Sequence, residues 1–485
     1  MSRRKRSKAE RKYNRRRQER NQDCLADMLQ WLLPDDTIFS EMKMHGNAKS
    51  KPRELVRLAL LWAWSERRHL TDAFEEAVMC CHSMFGVGGP RTYQGLMKAL
   101  TRRNQELMRL LWPVLHERMQ EIGAQFWQVG KWVPIAFDGS RSTAPRTEAN
   151  ERAFCAQDYG KGKTAKYRKK KTKGLRRRKN EKNRPEPQEP QAWITLLWHM
   201  GLRLPWMWRL GPSNSSERGH VMEMIEEGEY PENVLFVGDA GFVGFPLWSA
   251  IEQSGGRFLV RVGANVSLLR EHADYQLMED GSVLCWPKAV QSKQPPLHLR
   301  LVKVRIGNSD VYLLTNVLQA DQLSIQEMIT LYKMRWGIEV EFRGLKQTLD
   351  RAKLRCRNHE RLLVELDWSI MAMATAELLA LKEQLPKKRR RSAEPVSTPA
   401  QRSLANTMRA LRDCIRRPQE IPPIGKDLPT RLRKAVTDGY QRKSSKKARY
   451  RPPNPDKKPL GKPKLRVLTP KERRKVAQIE SRAAA

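Results

Sequence analysis

The chain has 485 residues, enough for two to four domains with at least one substantial core, and it carries 93 Lys and Arg against 53 Asp and Glu, a formal net charge of +40. That excess points to a polyanionic partner, and no apolar run approaches the roughly 18 residues of a membrane-spanning helix. The seven cysteines, at 24, 80, 81, 155, 285, 356 and 414, are odd in number and include no C-x-x-C pair, so they indicate neither a disulfide framework nor a zinc ribbon and are expected reduced and mostly buried.

Residues 1–20 hold eleven Lys or Arg and almost no apolar side chain. They lack the apolar stretch and cleavage site of a signal peptide, so the chain is expected to stay in the cell interior, and they predict a basic disordered arm over 1–21 that tracks phosphates without sequence preference. Over 22–125 the apolar residues recur at three and four, as in Leu107, Leu110, Leu111, Val114, Leu115, Met119 and Ile122, predicting a helical domain. A catalytic domain is expected over 130–384. Its first element is Trp132 to Ser140, WVPIAFDGS, a short apolar strand that delivers Asp138 at its carboxyl end. Residues 161–184 contain fourteen Lys or Arg and a single Glu, followed by PEPQEP, and read as a basic loop inserted over 161–190.

Ala192 to Leu210 reads as two strands around a Gly-containing turn, followed by a helix near Glu217 to Glu227. The strand Asn233 to Val237 ends in GDAGF and delivers Asp239. A helix near Leu247 to Gln253 and a strand over Phe258 to Val262 continue the alternation, which predicts an α/β class with a mixed sheet. Residues 264–318 look strand-rich, notably Leu299 to Ile306 and Val311 to Val317, and are expected to form a β insertion. After it, Leu362 to Leu378 marks a buried helix and Leu404 to Ile415 a shorter amphipathic one. The region 385–485 is expected to be basic, partly helical and largely disordered, with fifteen Lys or Arg between 442 and 475.

The most informative stretch is Leu331 to Leu349, LYKMRWGIEVEFRGLKQTL. At about 100° per residue, with Tyr332 as zero, Arg335 falls near −60°, Glu339 near −20° and Lys346 near −40°. Phosphate-seeking side chains and one carboxylate thus share a narrow stripe. Ile338, Phe342, Leu345 and Leu349 occupy the adjacent sector and should bury it. Glu341, roughly opposite the stripe, is expected to be a solvated charge.

Asp138, Asp239 and Glu339 can therefore meet at one end of a sheet. Three carboxylates can hold two divalent ions, which activate water and stabilise a leaving oxygen in phosphodiester displacement. Hard oxygen ligands favour Mg²⁺ or Mn²⁺ over zinc. Without metal, the three would raise one another's pKa values.

These residues carry a resemblance. D138-G-S, GDAGF around Asp239, and Y332-x2-R335-x3-E339-x6-K346 resemble the DDE transposases of bacterial insertion sequences, and the last motif matches the IS-four family signature at every spacing. The resemblance spans roughly 130 to 380. It implies an RNase H-like core interrupted by a β insertion, an N-terminal helical domain binding the element's ends, and a homodimer on paired double-stranded DNA ends within the bacterial cytoplasm, at the nucleoid. It implies that Asp138, Asp239 and Glu339 hold the metals while Tyr332, Arg335 and Lys346 grip phosphates beside the scissile bond. The implied reaction is cleavage at the transposon ends and strand transfer by 3′-OH attack, in some members through a hairpin. The 161–184 insertion and the basic tails depart from the family pattern.

Other readings of the residues stay open. Each aspartate could simply serve a turn, Tyr332 could pack in the core, and Arg335 could pair with Glu339 at i, i+4. Arg343 could join the phosphate contacts or be a surface charge, and Tyr312 could stack a flipped base or be an ordinary strand residue. Most tryptophans read as core or interface anchors. His220 and His298 lack partners at metal-ligand spacing, and no RRM or KH signature suggests RNA. A transposase-derived DNA-binding protein without catalysis, and a metal-dependent nuclease using water alone, are the competing functions.

Overall fold

The computed structural model describes residues 19–43, 50–86, 89–155, 189–270, 280–291, 294–307, 309–385, 402–437 and 460–484. The expected basic arm up to residue 18, the basic insertion up to residue 188, and residues 442–459 of the basic tail lie outside them.

Four helices open the chain: α1 (Asn21–Leu32), α2 (Pro52–Trp64), α3 (Leu70–Phe85) and α4 (Tyr93–Gly123). Local chemistry sets their ends. Pro52 occupies the first position of α2, where its missing N–H costs nothing. Thr92 Oγ1 accepts the Gly95 N–H at 3.1 Å to cap α4, and Gly86, at φ 66°, closes α3 in the left-handed region that favours glycine.

The sheet begins with β1 (Val133–Thr143), then α5 (Glu148–Phe154), β2 (Gln191–His199), β3 (Leu204–Gly211), α6 (Glu217–Glu227), β4 (Val234–Gly238), α7 (Phe245–Gln253) and β5 (Arg257–Val262). β2 runs antiparallel to β1 and β3, while β4 runs parallel to β1 and β5, giving the order β3-β2-β1-β4-β5. This is the RNase H-like order the sequence resemblance implies. Strands β1 and β4 are continuous apolar runs because helices cover both faces; Val133 to Phe137 and Val234 to Val237 are all buried.

The strand-rich stretch after β5 continues this sheet. It supplies β6 (Ser267–Arg270), β7 (Asp280–Cys285), β8 (Leu297–Ile306) and β9 (Ser309–Thr315), and β9 pairs antiparallel with β5 from Leu259↔Thr315 to Val262↔Tyr312. An apolar strand such as β5 cannot be left as an open edge. Tyr312 is thus a strand residue, paired with Val262 and Lys303.

The remaining helices are α8 (Ile325–Met334), α9 (Gly337–Arg343) with a wider π turn over Gly344–Thr348, α10 (His359–Gln384), α11 (Leu404–Arg416), α12 (Leu428–Arg433) and α13 (Pro470–Ala484). α10 is buried nearly all round, as a helix apolar on every side must be. Trp64 Nε1 of α2 donates to the Ala372 carbonyl at 2.8 Å, while Trp208 of β3 and Asn104 of α4 both donate to the Asp367 carboxylate, at 2.8 and 2.5 Å. The N-terminal helices and the sheet therefore meet on α10, and the chain positions 125 and 385 mark no break in packing. Below α10's first turns, Glu365 is fully buried and accepts from the backbone N–H groups of Arg355 and Cys356, with the Arg351 and Arg355 guanidinium groups 3.8 and 3.2 Å away.

Where a largely disordered C-terminal region is expected, residues 402–437 and 460–484 are folded. β10 (Lys464–Val467) lies parallel beside β6, with Lys464 N–H on the Val266 carbonyl and Leu468 N–H on the Arg270 carbonyl, both at 2.9 Å. Charge density predicts solvation of side chains, but a sheet edge recruits backbone, which composition does not register. Among the described residues no helix is long and apolar enough to cross a membrane. The seven cysteines are free thiols, all buried except the half-buried Cys155.

Candidate active site

Strand register brings the two aspartates together. β1 and β4 are parallel neighbours and Ala136 pairs with Val237. Two residues further on stand Asp138, still within β1, and Asp239, the first residue past β4. The expectation that Asp138 ends its strand needs adjustment. β1 runs on to Thr143 against β2, with Asp138 opposite Leu196, and it is β4 that stops. Asp138 therefore sits where one of its two neighbouring strands ends. Its Oδ1 accepts the Gly139 N–H at 2.8 Å, and Asp239 Oδ1 accepts the Gly241 N–H at 2.7 Å in a tight turn.

Glu339 arrives on α9, which packs against β1. The Leu331 to Leu349 run is not the single regular helix assumed for the stripe. After α8 it tightens at Arg335 and Trp336, where Trp336 N–H bonds Lys333, Ile338 N–H bonds Arg335 and Glu339 N–H bonds Trp336, at 3.3, 3.1 and 3.2 Å; these are three-residue steps, nearer 120° per residue. It then widens into the π turn that carries Lys346. Ile338, Phe342, Leu345 and Leu349 are buried, as the wheel requires.

Arg335 occupies the centre. Its side chain is only 8% exposed, with Nη1 4.0 Å from Asp138 Oδ2 and Nη2 3.5 Å from Glu339 Oε1. Its Nε and Nη1 make no hydrogen bond, so two buried donors are without an acceptor of their own. Its guanidinium also lies 5.6 Å from the centre of the Tyr332 ring, within cation–π range. Lys346 Nζ takes a different contact, donating to Ser140 Oγ on β1 at 2.7 Å; burial lowers its pKa from the ordinary lysine value.

Burial pushes the Asp138 carboxyl up to about 6; the Gly139 N–H and Arg335 oppose this, and Asp239 and Glu339 add to it. A fourth carboxylate, which sequence reading did not single out, belongs to the same neighbourhood. Glu217 opens α6, and its pKa is raised by burial first and then by Asp138 and Asp239. The signal that could have found it is topological: β3 runs parallel to β1, so the helix after β3 starts at the same end of the sheet as Asp138.

Glu341 corrects an expectation. It is buried, not solvated, and its carboxyl is held well above the ordinary range by burial first and then by Glu377, to which it hydrogen-bonds, with Arg402 opposing. α9 is covered both by the sheet and by the C-terminal helices, so it has less free surface than a wheel suggests. Trp336 and Val340, 57% and 51% exposed, form an apolar strip beside Glu339, whereas most other tryptophans are core. Arg343 is exposed, and His220 is occupied by Thr195 Oγ1 at 2.9 Å.

The residues suit a hard divalent cation. The donors are all carboxylates, they repel one another, and Arg335 beside Asp138, with Arg141 and Arg218 toward Glu217, only partly offsets them. Among the described residues no three are gathered closely enough to ligate one ion; Arg335 stands between Asp138 and Glu339.

Residues 204–375 match the family described as Transposase DDE domain. The match includes Asp239 and the whole Tyr332 to Lys346 motif and leaves Asp138 outside. Over 176 residues the chain is 27% identical to the candidate transposase y4zB of Sinorhizobium fredii (strain NBRC 101917 / NGR234), covering 34% of this chain and 47% of that protein; the chain thus spans about half the length of this curated relative. It is also similar to a piggyBac transposase in a synaptic complex with hairpin DNA, at TM-score 0.34 and 13% identity, over 87% of this chain and 84% of that one.

Proposed function

We propose that the protein is a DDE-type DNA transposase that cuts double-stranded DNA at transposon ends and joins the freed 3′-OH to target DNA. The observation that carries this reading is a buried Arg335 with two unsatisfied donors standing between Asp138 and Glu339, with Asp239 brought beside Asp138 by the pairing of β1 with β4. Asp138, Asp239 and Glu339 hold divalent cations, Mg²⁺ or Mn²⁺ and two in number. When bound, these supply the Lewis acidity that activates the attacking oxygen and neutralises the leaving one.

The chain's own residues do the rest. Arg335 donates Nε and Nη1 to the non-bridging oxygens of the scissile phosphate, replacing water that burial has removed. Lys346, anchored on Ser140, and Tyr332 flank that phosphate and fix its orientation. In the first step a water oxygen bonds to phosphorus, the phosphorus–O3′ bond breaks, and the 3′ oxygen leaves as a hydroxyl. In the second, that hydroxyl attacks a target phosphorus and displaces the target's own 3′ oxygen. The +40 charge supplies nonspecific, salt-sensitive affinity for the duplex, and two copies assemble on paired ends in the bacterial cytoplasm.

The test is strand cleavage by the full chain on a labelled duplex carrying one gene-flanking end, with Mg²⁺ or EDTA, comparing wild type with Glu339→Gln. Metal-dependent nicking at the element boundary, lost in Glu339→Gln with end binding retained, is expected. Equal cleavage by Glu339→Gln would sink the assignment. Binding without cleavage under both metals would favour a DNA-binding protein derived from a transposase, and nicking without strand transfer a nuclease.

A further inference from the structure

We propose that Glu217 is a fourth metal-facing carboxylate of this site, lying between Asp138 and Asp239 at the first turn of α6 and taking part in holding a divalent cation. The inference rests on the transposase reading and extends it to a residue outside the three-carboxylate set.

The geometry comes from two glycines. A Cβ placed on Gly139 would stand 2.3 Å from Glu217 Oε1, 2.7 Å from its Cδ and 2.9 Å from its Cγ. The glutamate side chain therefore runs directly over the backbone that follows Asp138, through space that only glycine leaves open. A Cβ on Gly241 would stand 3.0 Å from Asp239 Oδ1 and 3.9 Å from Glu217 Oε2. One glutamate oxygen thus lies against the Asp138 strand and the other faces the Asp239 turn.

An acidic residue in the first turn of a helix commonly serves only the helix dipole. Such a residue has no reason to lean over two other carboxylates, where repulsion outweighs a dipole term of less than about 1 kcal/mol. Among the described residues no Lys or Arg nitrogen is within ion-pair distance of Glu217. The direction of α6 is instead imposed from outside it. His220 Nδ1 shares a hydrogen bond with Thr195 of β2 at 2.9 Å, Arg218 Nη1 donates to the Val243 carbonyl beyond the Asp239 turn at 2.7 Å, and Ser216 Oγ caps the helix through Gly219 N–H at 3.2 Å. Glu217 is held in the cluster despite burial and repulsion by Asp138 and Asp239, which Arg141 and Arg218 offset only in part.

The second observation is Arg335. More than nine-tenths buried, it holds Nη1, which makes no hydrogen bond, 4.0 Å from Asp138 Oδ2 and Nη2 3.5 Å from Glu339 Oε1, which marks the place of an anionic oxygen ligand such as a phosphate. Four carboxylates and a phosphate oxygen leave a negative excess that Arg335 beside Asp138, and Arg141 and Arg218 toward Glu217, only partly offset, and that hard cations offset further.

The experiment measures Mn²⁺ binding to the full chain without DNA, by calorimetry and by the loss of the free Mn²⁺ spin-resonance signal. It compares wild type, Glu217→Gln, Glu217→Asp and Asp239→Asn, and adds the Mn²⁺ concentration for half-maximal cleavage. Glu217→Gln is expected to weaken Mn²⁺ binding and to raise the half-maximal concentration, each by about tenfold. Glu217→Asp, which withdraws the carboxylate by one methylene, should weaken both by less, and it decides the matter if Glu217→Gln does not fold. Wild-type Mn²⁺ affinity in both Glu217 variants, with binding lost in Asp239→Asn, would overturn the role of Glu217 and leave the transposase site standing. Unchanged binding in Asp239→Asn as well would overturn both.

Discussion

Gly337→Ala tests whether the helix carrying Glu339 is held in place by contact with the sheet. Gly337 opens α9, and a Cβ there would lie 2.1 Å from Trp198 Cη2 and 2.7 Å from Cζ3. Carbon atoms need about 3.5 Å, so roughly 1.4 Å must be found. Trp198 is 2% exposed on β2, one strand from Asp138, and its ring has nowhere to go. In an unconstrained helix, alanine for glycine gains about 1 kcal/mol; overpacking a core costs about 1–3 kcal/mol. The expected net is a loss of up to ~2 kcal/mol in urea unfolding. Because α9 must lift off the sheet and Glu339 lies two residues on, cleavage should fall about 100-fold, the usual consequence of misplacing a reacting group by about 1 Å. End binding measured by gel shift should persist. Adding Trp198→Phe, which shortens the ring, should restore part of both losses, with an interaction energy of about 1 kcal/mol in the double-mutant cycle. A Gly337→Ala protein that is more stable and cleaves at the wild-type rate would refute the close contact as the reason Glu339 sits where it does.

Two further expectations concern how the helices and the sheet are joined. Burial raises the Asp367 carboxyl from 3.8 to about 6 against the opposing bonds from Trp208 and Asn104; with its folded pKa above the unfolded one, it contributes stability that declines as pH climbs from 3.8 to about 6. The full shift corresponds to roughly 3 kcal/mol, trimmed by partial solvent contact to ~1–2 kcal/mol. Urea unfolding of wild type relative to Asp367→Asn should show that decline, and parallel curves across the window would refute it. Burial alone would push Glu365 up, but Arg351, Arg355 and two backbone N–H groups hold it below its ordinary value. Its stabilisation is present above pH 4.5 and lost as pH falls, so Glu365→Gln should cost about 3 kcal/mol at pH 7 and progressively less below pH 4.5; a constant deficit would count against the ion cluster.

Much of this protein is legible one element at a time. Period-two and period-3.6 patterns mark β2, β3, β4, α6, α7 and α10 to within a few residues, because those segments bury one face or both and hydrophobic spacing records that directly. The Tyr332, Arg335, Glu339 and Lys346 spacing, with the two aspartates, names candidates, of which the fold sets Arg335 beside Asp138, Glu339 and Tyr332, and Lys346 on Ser140. Tertiary structure alone decided the rest. Pairing of Ala136 with Val237 put Asp138 level with Asp239, and the parallel course of β3 brought Glu217 to the same end, since strand register and direction are long-range properties that no local pattern carries. Glu341 was buried by elements arriving from residues 377 and 402, and β10 was drawn to an open sheet edge from nearly 200 residues away. A sequence states which face of each element is apolar; which other element covers that face, and which charges become neighbours in consequence, is settled only when the whole core closes.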